Sequence, residues 1–425
     1  MKFVMVNPTE TELESLAPYR GGLAFYRDTM IALGPICACS NITNHDIKYI
    51  DNDVLNLDNH SLLNLILSHE PDVVGFSGCN SQWPQARNVA KSLHAMGIMT
   101  IYGGPNATYN PQKHVRYFDY VYRGMAEPYL QTILDKLSRD ENIDDVPGIC
   151  FLRDVGVVIK EPILTFDWAE YKRPDRSFVD MSLYPRAVKG LESPVDIVLS
   201  GQGCPFSCRF CGSAYLWKRR VNVLPVDTVI SEIRYMMETY GTKTVHFRED
   251  NFNVNRSRLL EFCSKVKPLG VGWFCQSNVR SLDKDILQTM KESGMRSVAI
   301  GFESGSDSTL KFINKGYTVS DVRRVCKEVL DVGDIILVGA FMIGTPNETR
   351  DDILRTFDLA EEFSRISGIE KGGTRFCGWP VSELYYQIQK DDLVVFDWNE
   401  GECLIPRTYH LSNDEIVYLI DNYGS

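Results

Sequence analysis

No apolar run in this sequence approaches the roughly 18–20 residues a helix needs to cross a bilayer, so no membrane partner is expected. The opening stretch MKFVMVNPTETELES turns acidic after one short apolar run. It lacks the basic-then-apolar order of a secretion signal, and a cytoplasmic location is the expectation. Basic charge is also scarce: 45 Lys and Arg stand against 56 Asp and Glu, a net charge of −11. Nucleic-acid binders draw most of their affinity from neutralising phosphates. The acidic total therefore predicts no nucleic-acid partner, although Lys218-Arg219-Arg220 forms a small basic patch. There is no internal repeat and no low-complexity tract, and a hydrophobic fraction of 44% argues against disorder or a fibrous chain.

What is present is a β/α alternation over 425 residues, enough for two or three domains. In the first 145 residues short apolar runs read as strands at 2–7, 46–50, 72–77, 99–103 and 119–123, with helical patterns such as 61–68 and 85–96 between them. Such alternation predicts a doubly wound parallel sheet, with ligands at the carboxyl ends of its strands. Residues 146–192 break the rhythm: a hairpin-like piece follows Pro147-Gly148, then a polar, proline-punctuated connection. A second series spans 193–368, with strands expected at 195–200, 244–247, 272–276, 297–301 and 335–342, and helices at 226–239, 258–266, 283–293, 319–332 and 350–363. Five or six βα units predict a partial (β/α)6 barrel, short of the closed eight. The irregular, aromatic residues 369–425 read as a C-terminal cap.

Twelve cysteines without a secretion signal should be reduced thiols. Nine are scattered and read as small buried hydrophobes. The other three stand together in Gly203-Cys204-Pro-Phe-Ser-Cys208-Arg-Phe-Cys211-Gly212, spacing CxxxCxxC, directly after the first strand of the second series. A zinc site normally uses two CxxC pairs or a Cys/His set, and neither a histidine nor a second pair lies nearby; a redox pair needs only two cysteines. Three thiolates can hold an iron–sulfur cube while leaving one iron open. That iron can take the amino and carboxylate groups of a methionine moiety, and the flanking glycines permit the tight loop. No second such cysteine set exists, so no auxiliary cluster is expected.

This loop resembles the signature of the radical S-adenosylmethionine (SAM) superfamily, and the resemblance covers the barrel region. It implies a [4Fe–4S] cluster on Cys204, Cys208 and Cys211, SAM as co-substrate, and Phe210 packed near the adenine. By position, Glu249 or Asp250 after the second barrel strand would take the SAM amino group. Asn278 and Arg280 follow the third strand, and Arg280 would pair with the SAM carboxylate. Glu303 and Ser306, in a segment resembling the ribose-contacting motif, would meet the ribose. Gly344 belongs to the segment on the adenine side. The resemblance leaves the group that handles the substrate unassigned.

The first domain resembles the cobalamin (B12)-binding domain that precedes the barrel in one radical SAM class. Val6-Asn7-Pro8, Val74-Gly75-Phe76-Ser77, Tyr102-Gly103-Gly104-Pro105 and Asp119–Gly124 carry the likeness. It implies that Ser77, Gly103, Gly104 and Pro105 border the cobalamin. The axial-ligand motif DxHxxG is absent after the first strand, His60 reads as a surface residue at a helix start, and bulky Gln82 and Trp83 follow the third strand. Two functions follow from the resemblance: a cobalamin-dependent C-methyltransferase acting on a small-molecule metabolite or natural-product intermediate, or a cobalamin-free dehydratase, epimerase or cyclase whose B12 domain is degenerate. RNA modification is disfavoured by charge. Either enzyme implies an external low-potential electron donor of flavodoxin or ferredoxin type.

Overall fold

The computed structural model describes residues 1–10, 31–154, 156–164, 172–367, 372–398 and 401–424. They form two compact units, one ending at Pro185 and the other beginning at Arg186. In the first, β1 (Lys2–Asn7) lies between β2 (Asp46–Asp51) and β3 (Val73–Ser77), and the sheet continues through β4 (Met99–Gly103) and β5 (Tyr120–Tyr122), every pair parallel. The hairpin of β6 (Ile149–Arg153) and β7 (Gly156–Ile159) then adds antiparallel strands beside β5, so residues placed in a connection by sequence extend the first sheet.

Both faces of this sheet are covered, as near-continuous apolar strands require. Phe3 and Met5 pack with Val73, Ile101 and Tyr122 on one side; Val4 and Val6 pack with Val74, Phe76, Tyr102 and Val121 on the other. The order 2-1-3-4-5 reverses between β1 and β3, and a doubly wound sheet binds its ligands at such a reversal.

In the second unit β8 (Val195–Ile197) is followed by a two-stranded ribbon, β9 (Gly201–Gln202) with β10 (Asn222–Val223). The main strands are β11 (Thr244–Phe247), β12 (Gly272–Ser277), β13 (Met295–Glu303), β14 (Ile336–Ile343) and β15 (Gly372–Arg375). With β8 they make a six-stranded parallel half-barrel in the order 15-14-13-12-11-8. The crossover helices follow the sequence periodicity: in Val319–Val332 the residues Val322, Val325, Cys326 and Val329 are buried, and Thr318 with Asp321 closes a capping box. The sixth strand lies beyond the expected barrel boundary at 368. Gly372-Gly-Thr-Arg carries no apolar alternation, and its pairing with β14 makes it a strand. The C-terminal stretch is regular rather than irregular. It comprises helix Glu383–Lys390, hairpin β16 (Val394–Trp398) with β17 (Cys403–Pro406), and helix Asn413–Tyr423, whose Ile416, Leu419 and Ile420 pack on Ile343 and Ile353.

Candidate functional site

Cys204, Cys208 and Cys211 are free and half-buried in the loop between β9 and β10. Gly203 has φ +93°, and a Cβ there would stand 2.2 Å from the Arg220 carbonyl, so the loop entrance is pressed against the far side of the ribbon. The loop turns on itself through Cys211 N–H to the Cys208 carbonyl, 3.1 Å, and Ser213 N–H points at Cys211 Sγ, 3.4 Å. Burial pushes all three thiols up, Cys211 to about 11; bound iron reverses this, because a coordinating thiol gives up its proton. Among the described residues no three His, Cys, Asp or Glu side chains converge as ligands of one metal ion do. A cube holds its irons at separate corners, so its thiolates have no need to converge.

The sequence-predicted SAM residues divide into two groups. Asp250 stands beside the loop: its Oδ2 accepts from Ser213 Oγ at 2.7 Å. Phe210 lies under the Lys315 ammonium, 5.5 Å from ring centre, and Arg280 lies over Phe206 at 4.9 Å. Glu303, at φ +65°, takes an ion pair from Lys315, 2.9 Å, with both side chains largely buried. Asn278 caps the short turn of Arg280, accepting from its N–H at 2.9 Å.

The others are turned to structural partners. Glu249 is buried, accepts from Ser200 Oγ, and its carboxyl is pushed up to about 7 by burial. Ser306 Oγ donates to Asp352 at 2.5 Å. Gly344 has φ +89°, and a Cβ there would lie 1.3 Å from Arg375 Nη1, so its glycine is demanded by the buried arginine.

In the first unit Ser77, Gly103 and Gly104 lie together at the carboxyl ends of β3 and β4, with Pro105 opening the helix Pro105–Tyr109. Gly104 sits so close to Gly78 that a Cβ would meet its carbonyl at 2.8 Å, whereas a Cβ at Gly103 would make only an ordinary contact with the Phe76 carbonyl, 3.8 Å. At the β1/β3 reversal Gln82 donates to Asn7 Oδ1 and the Pro8 carbonyl, at 3.1 and 2.7 Å, and accepts from Cys79 N–H at 2.9 Å. Trp83 does not project into a ligand space: it is fully buried among Tyr102, His114 and Tyr117. His60 is exposed in the first turn of the helix Asn59–Leu67.

Sequence reasoning passed over Lys315, Asn251 and Arg209. Lys315 follows a helix in Asn-Lys-Gly, where a cation reads as solvated, yet it is only 7% exposed. Asn251 is 4% exposed with neither amide atom partnered among the described residues, and the Gln202 side-chain Oε1, next to the cysteine loop in sequence, is likewise buried and without a partner there. Buried amides of this kind want a polar ligand or water, which fits a site built to receive one. The signal was the Asp-Asn pair at the end of β11.

Comparison with known proteins agrees with this division. The radical SAM superfamily model matches residues 198–360 and the B12 binding domain model residues 31–134. An uncharacterized methyltransferase of Pyrococcus horikoshii is 27% identical over 99% of this chain and 91% of its own length. Among solved structures, the cobalamin-dependent S-adenosylmethionine radical enzyme OxsB, with aqua-cobalamin and S-adenosylmethionine bound, superposes with TM-score 0.76 at 14% identity. That match covers 98% of this chain and 65% of OxsB. The radical S-adenosylmethionine methyltransferase TsrM of Kitasatospora setae, with cobalamin and a [4Fe–4S] cluster bound, gives 0.71 at 17%, over 94% of this chain and 76% of TsrM. At such identities the two structures speak for the fold.

Proposed function

We propose that this chain, a radical SAM enzyme with a B12-binding domain ahead of its barrel, is a cobalamin-dependent methyltransferase acting on carbon of a small molecule. The observation that carries the reading is the half-buried three-cysteine loop at the open end of the half-barrel, in a chain whose other unit has the B12-binding fold. The methyltransferase of Pyrococcus horikoshii, alike over almost the whole chain, supports methyl transfer as the outcome. When bound, the cluster supplies the electron that splits the SAM sulfonium into methionine and a 5′-deoxyadenosyl radical, and the cobalamin supplies the methyl group.

The chain's own residues bind and orient. Cys204, Cys208 and Cys211 hold the cluster, and Ser213 N–H steadies the Cys211 sulfur. Asp250, exposed beside the loop, is the carboxylate for the SAM ammonium, and Glu303, fixed by Lys315, accepts from the ribose. Phe210 and the segment of Gly344 would border the adenine. Arg280 and Asn278 serve the carboxylate end, and Asn251 offers the amide that finds no partner among the described residues. Ser77, Gly103 and Pro105 border the cobalamin, and Gly103 is the less crowded of the two glycines. Electrons come from a separate flavodoxin- or ferredoxin-type donor.

A cobalamin-free rearrangement is the second reading, favoured by the commitment of Asn7 and Gln82 to each other where a lower ligand would follow β1. Anaerobic reconstitution with iron, sulfide, hydroxocobalamin and SAM separates the two. Methyl transfer requires corrinoid absorption in the purified protein and S-adenosylhomocysteine beside 5′-deoxyadenosine. Formation of 5′-deoxyadenosine alone, with no corrinoid retained, assigns the rearrangement. A chain that holds no cluster refutes both.

A further inference from the structure

Two loops far apart in sequence, the cysteine loop and Gly344–Pro346, hold one SAM between them in the reading above, and a continuous run of hydrogen bonds joins them. Arg209, between the second and third cysteines, donates from Nη2 to Gln387 Oε1 at 2.5 Å. The same carboxamide donates from Nε2 to the Tyr409 hydroxyl at 2.7 Å. Tyr409 N–H then donates to the Pro346 carbonyl at 2.8 Å. Every link lies within the second unit.

We propose that Arg209, Gln387 and Tyr409 form a positioning relay that fixes the separation of the cysteine loop from the Gly344–Pro346 loop, and so the reach from cluster to nucleoside. The inference rests on the assignment of those loops to the cluster and to SAM.

The relay is anchored at both ends. Arg209 also donates from Nε to Glu383 at 2.7 Å and from Nη1 to the Phe312 carbonyl at 2.9 Å, while its backbone bonds Ile313 and Leu384. An arginine side chain gives up rotamer freedom when fixed; here its three nitrogens are held by two different elements. At the other end the Tyr409 hydroxyl donates to Asp391, and Arg375 donates to the Ile343, Gly344 and Pro406 carbonyls, tying the same loop to β17. A rigid spacer is worth having at this point, because a misplacement of about 1 Å between reacting groups can cost on the order of 100-fold in rate.

The test uses the full chain, reconstituted anaerobically, as wild type, Gln387→Ala, Arg209→Ala, Arg209→Lys, Tyr409→Phe and the Arg209→Ala/Tyr409→Phe double variant. Iron content and thermal melting report folding and loading; titration of SAM against the electron paramagnetic resonance signal of the reduced cluster reports SAM affinity. Gln387→Ala, at a half-buried position, should load iron like wild type and melt only slightly lower, but bind SAM about tenfold more weakly, a loss on the scale of one charge-assisted hydrogen bond. The double variant should be no weaker than Arg209→Ala alone, and lysine at 209 should recover part of the loss. Wild-type SAM affinity in Gln387→Ala, or multiplying effects of the two single changes, overturns the relay. If Arg209→Ala fails to load iron, Gln387→Ala and Tyr409→Phe, which lie outside the loop, decide alone. A wild-type chain that loads no SAM-responsive cluster is a different result: it sinks the reading of the loops and the inference with it.

Discussion

Adjacent carboxylates at the end of β11 live in different surroundings. Asp250 is exposed and meets the cysteine loop through Ser213; Glu249 is 6% exposed, bonded to Ser200, and feels the Arg258 guanidinium. Burial wins over both partners and lifts the Glu249 carboxyl to about 7 from an ordinary 4.5. The folded chain thus holds this proton more tightly than the unfolded one. Stability from this group is full below about pH 4.5 and is lost as pH rises through 7. Glu249→Gln, which keeps the bond to Ser200 without the charge, should flatten the decline in melting temperature between pH 5 and 7.5; scanning calorimetry of both proteins across that range checks it. An unchanged slope would assign the decline to other groups. Asp250 and Glu249 were equal candidates for the SAM ammonium from residue type and position alone, because only burial separates them, and burial at a strand end depends on what packs across it.

At the scale of elements, the polar knot at the β1/β3 reversal shows what a sheet edge costs to organise. Gln82 joins the ends of β1 and β3 by donating to Asn7 and Pro8 and accepting from Cys79, while Gln85 accepts from Thr9 N–H and Asn52. Replacing a buried amide by an apolar side chain leaves each former partner unsatisfied, at about 1–3 kcal/mol apiece. Gln82→Leu should therefore lower the stability of the first unit by at least about 2 kcal/mol and reduce corrinoid uptake. Chemical denaturation and the visible absorption of the reconstituted protein measure the two effects. Intact uptake in a destabilised protein would place the corrinoid away from the reversal.

Elements with strong apolar periodicity were legible in the sequence: β1 and β11 coincide with their expected ranges, as does helix Val319–Val332. What escaped was pairing that local pattern does not encode. Gly372-Gly-Thr-Arg is a strand because β14 offers it an edge, and the ribbon of β9 and β10 is only two residues wide on each side. The relay through Gln387 and Tyr409 escaped for the same reason, since its partners lie up to 178 residues apart.

At the scale of the whole molecule, the described residues divide into two units with separate cores, and each carries the fold of one cofactor domain. Composition narrowed the expectation: an acidic total weighs against binding phosphate backbones, and no helix among the described residues is long and apolar enough to cross a membrane. Separate cores imply separable loading. The buried residues of the apolar clusters described for the first unit all come from residues 3–151, its own sequence. Replacing Cys204, Cys208 and Cys211 together by alanine should leave a folded chain that takes up hydroxocobalamin at the wild-type ratio, binds no iron, and forms neither 5′-deoxyadenosine nor S-adenosylhomocysteine from SAM. Corrinoid per chain from absorbance, iron by colorimetry and SAM products by chromatography make the comparison. Loss of corrinoid together with iron would mean that cobalamin depends on the loaded barrel, and separate loading would then be the wrong description of this enzyme.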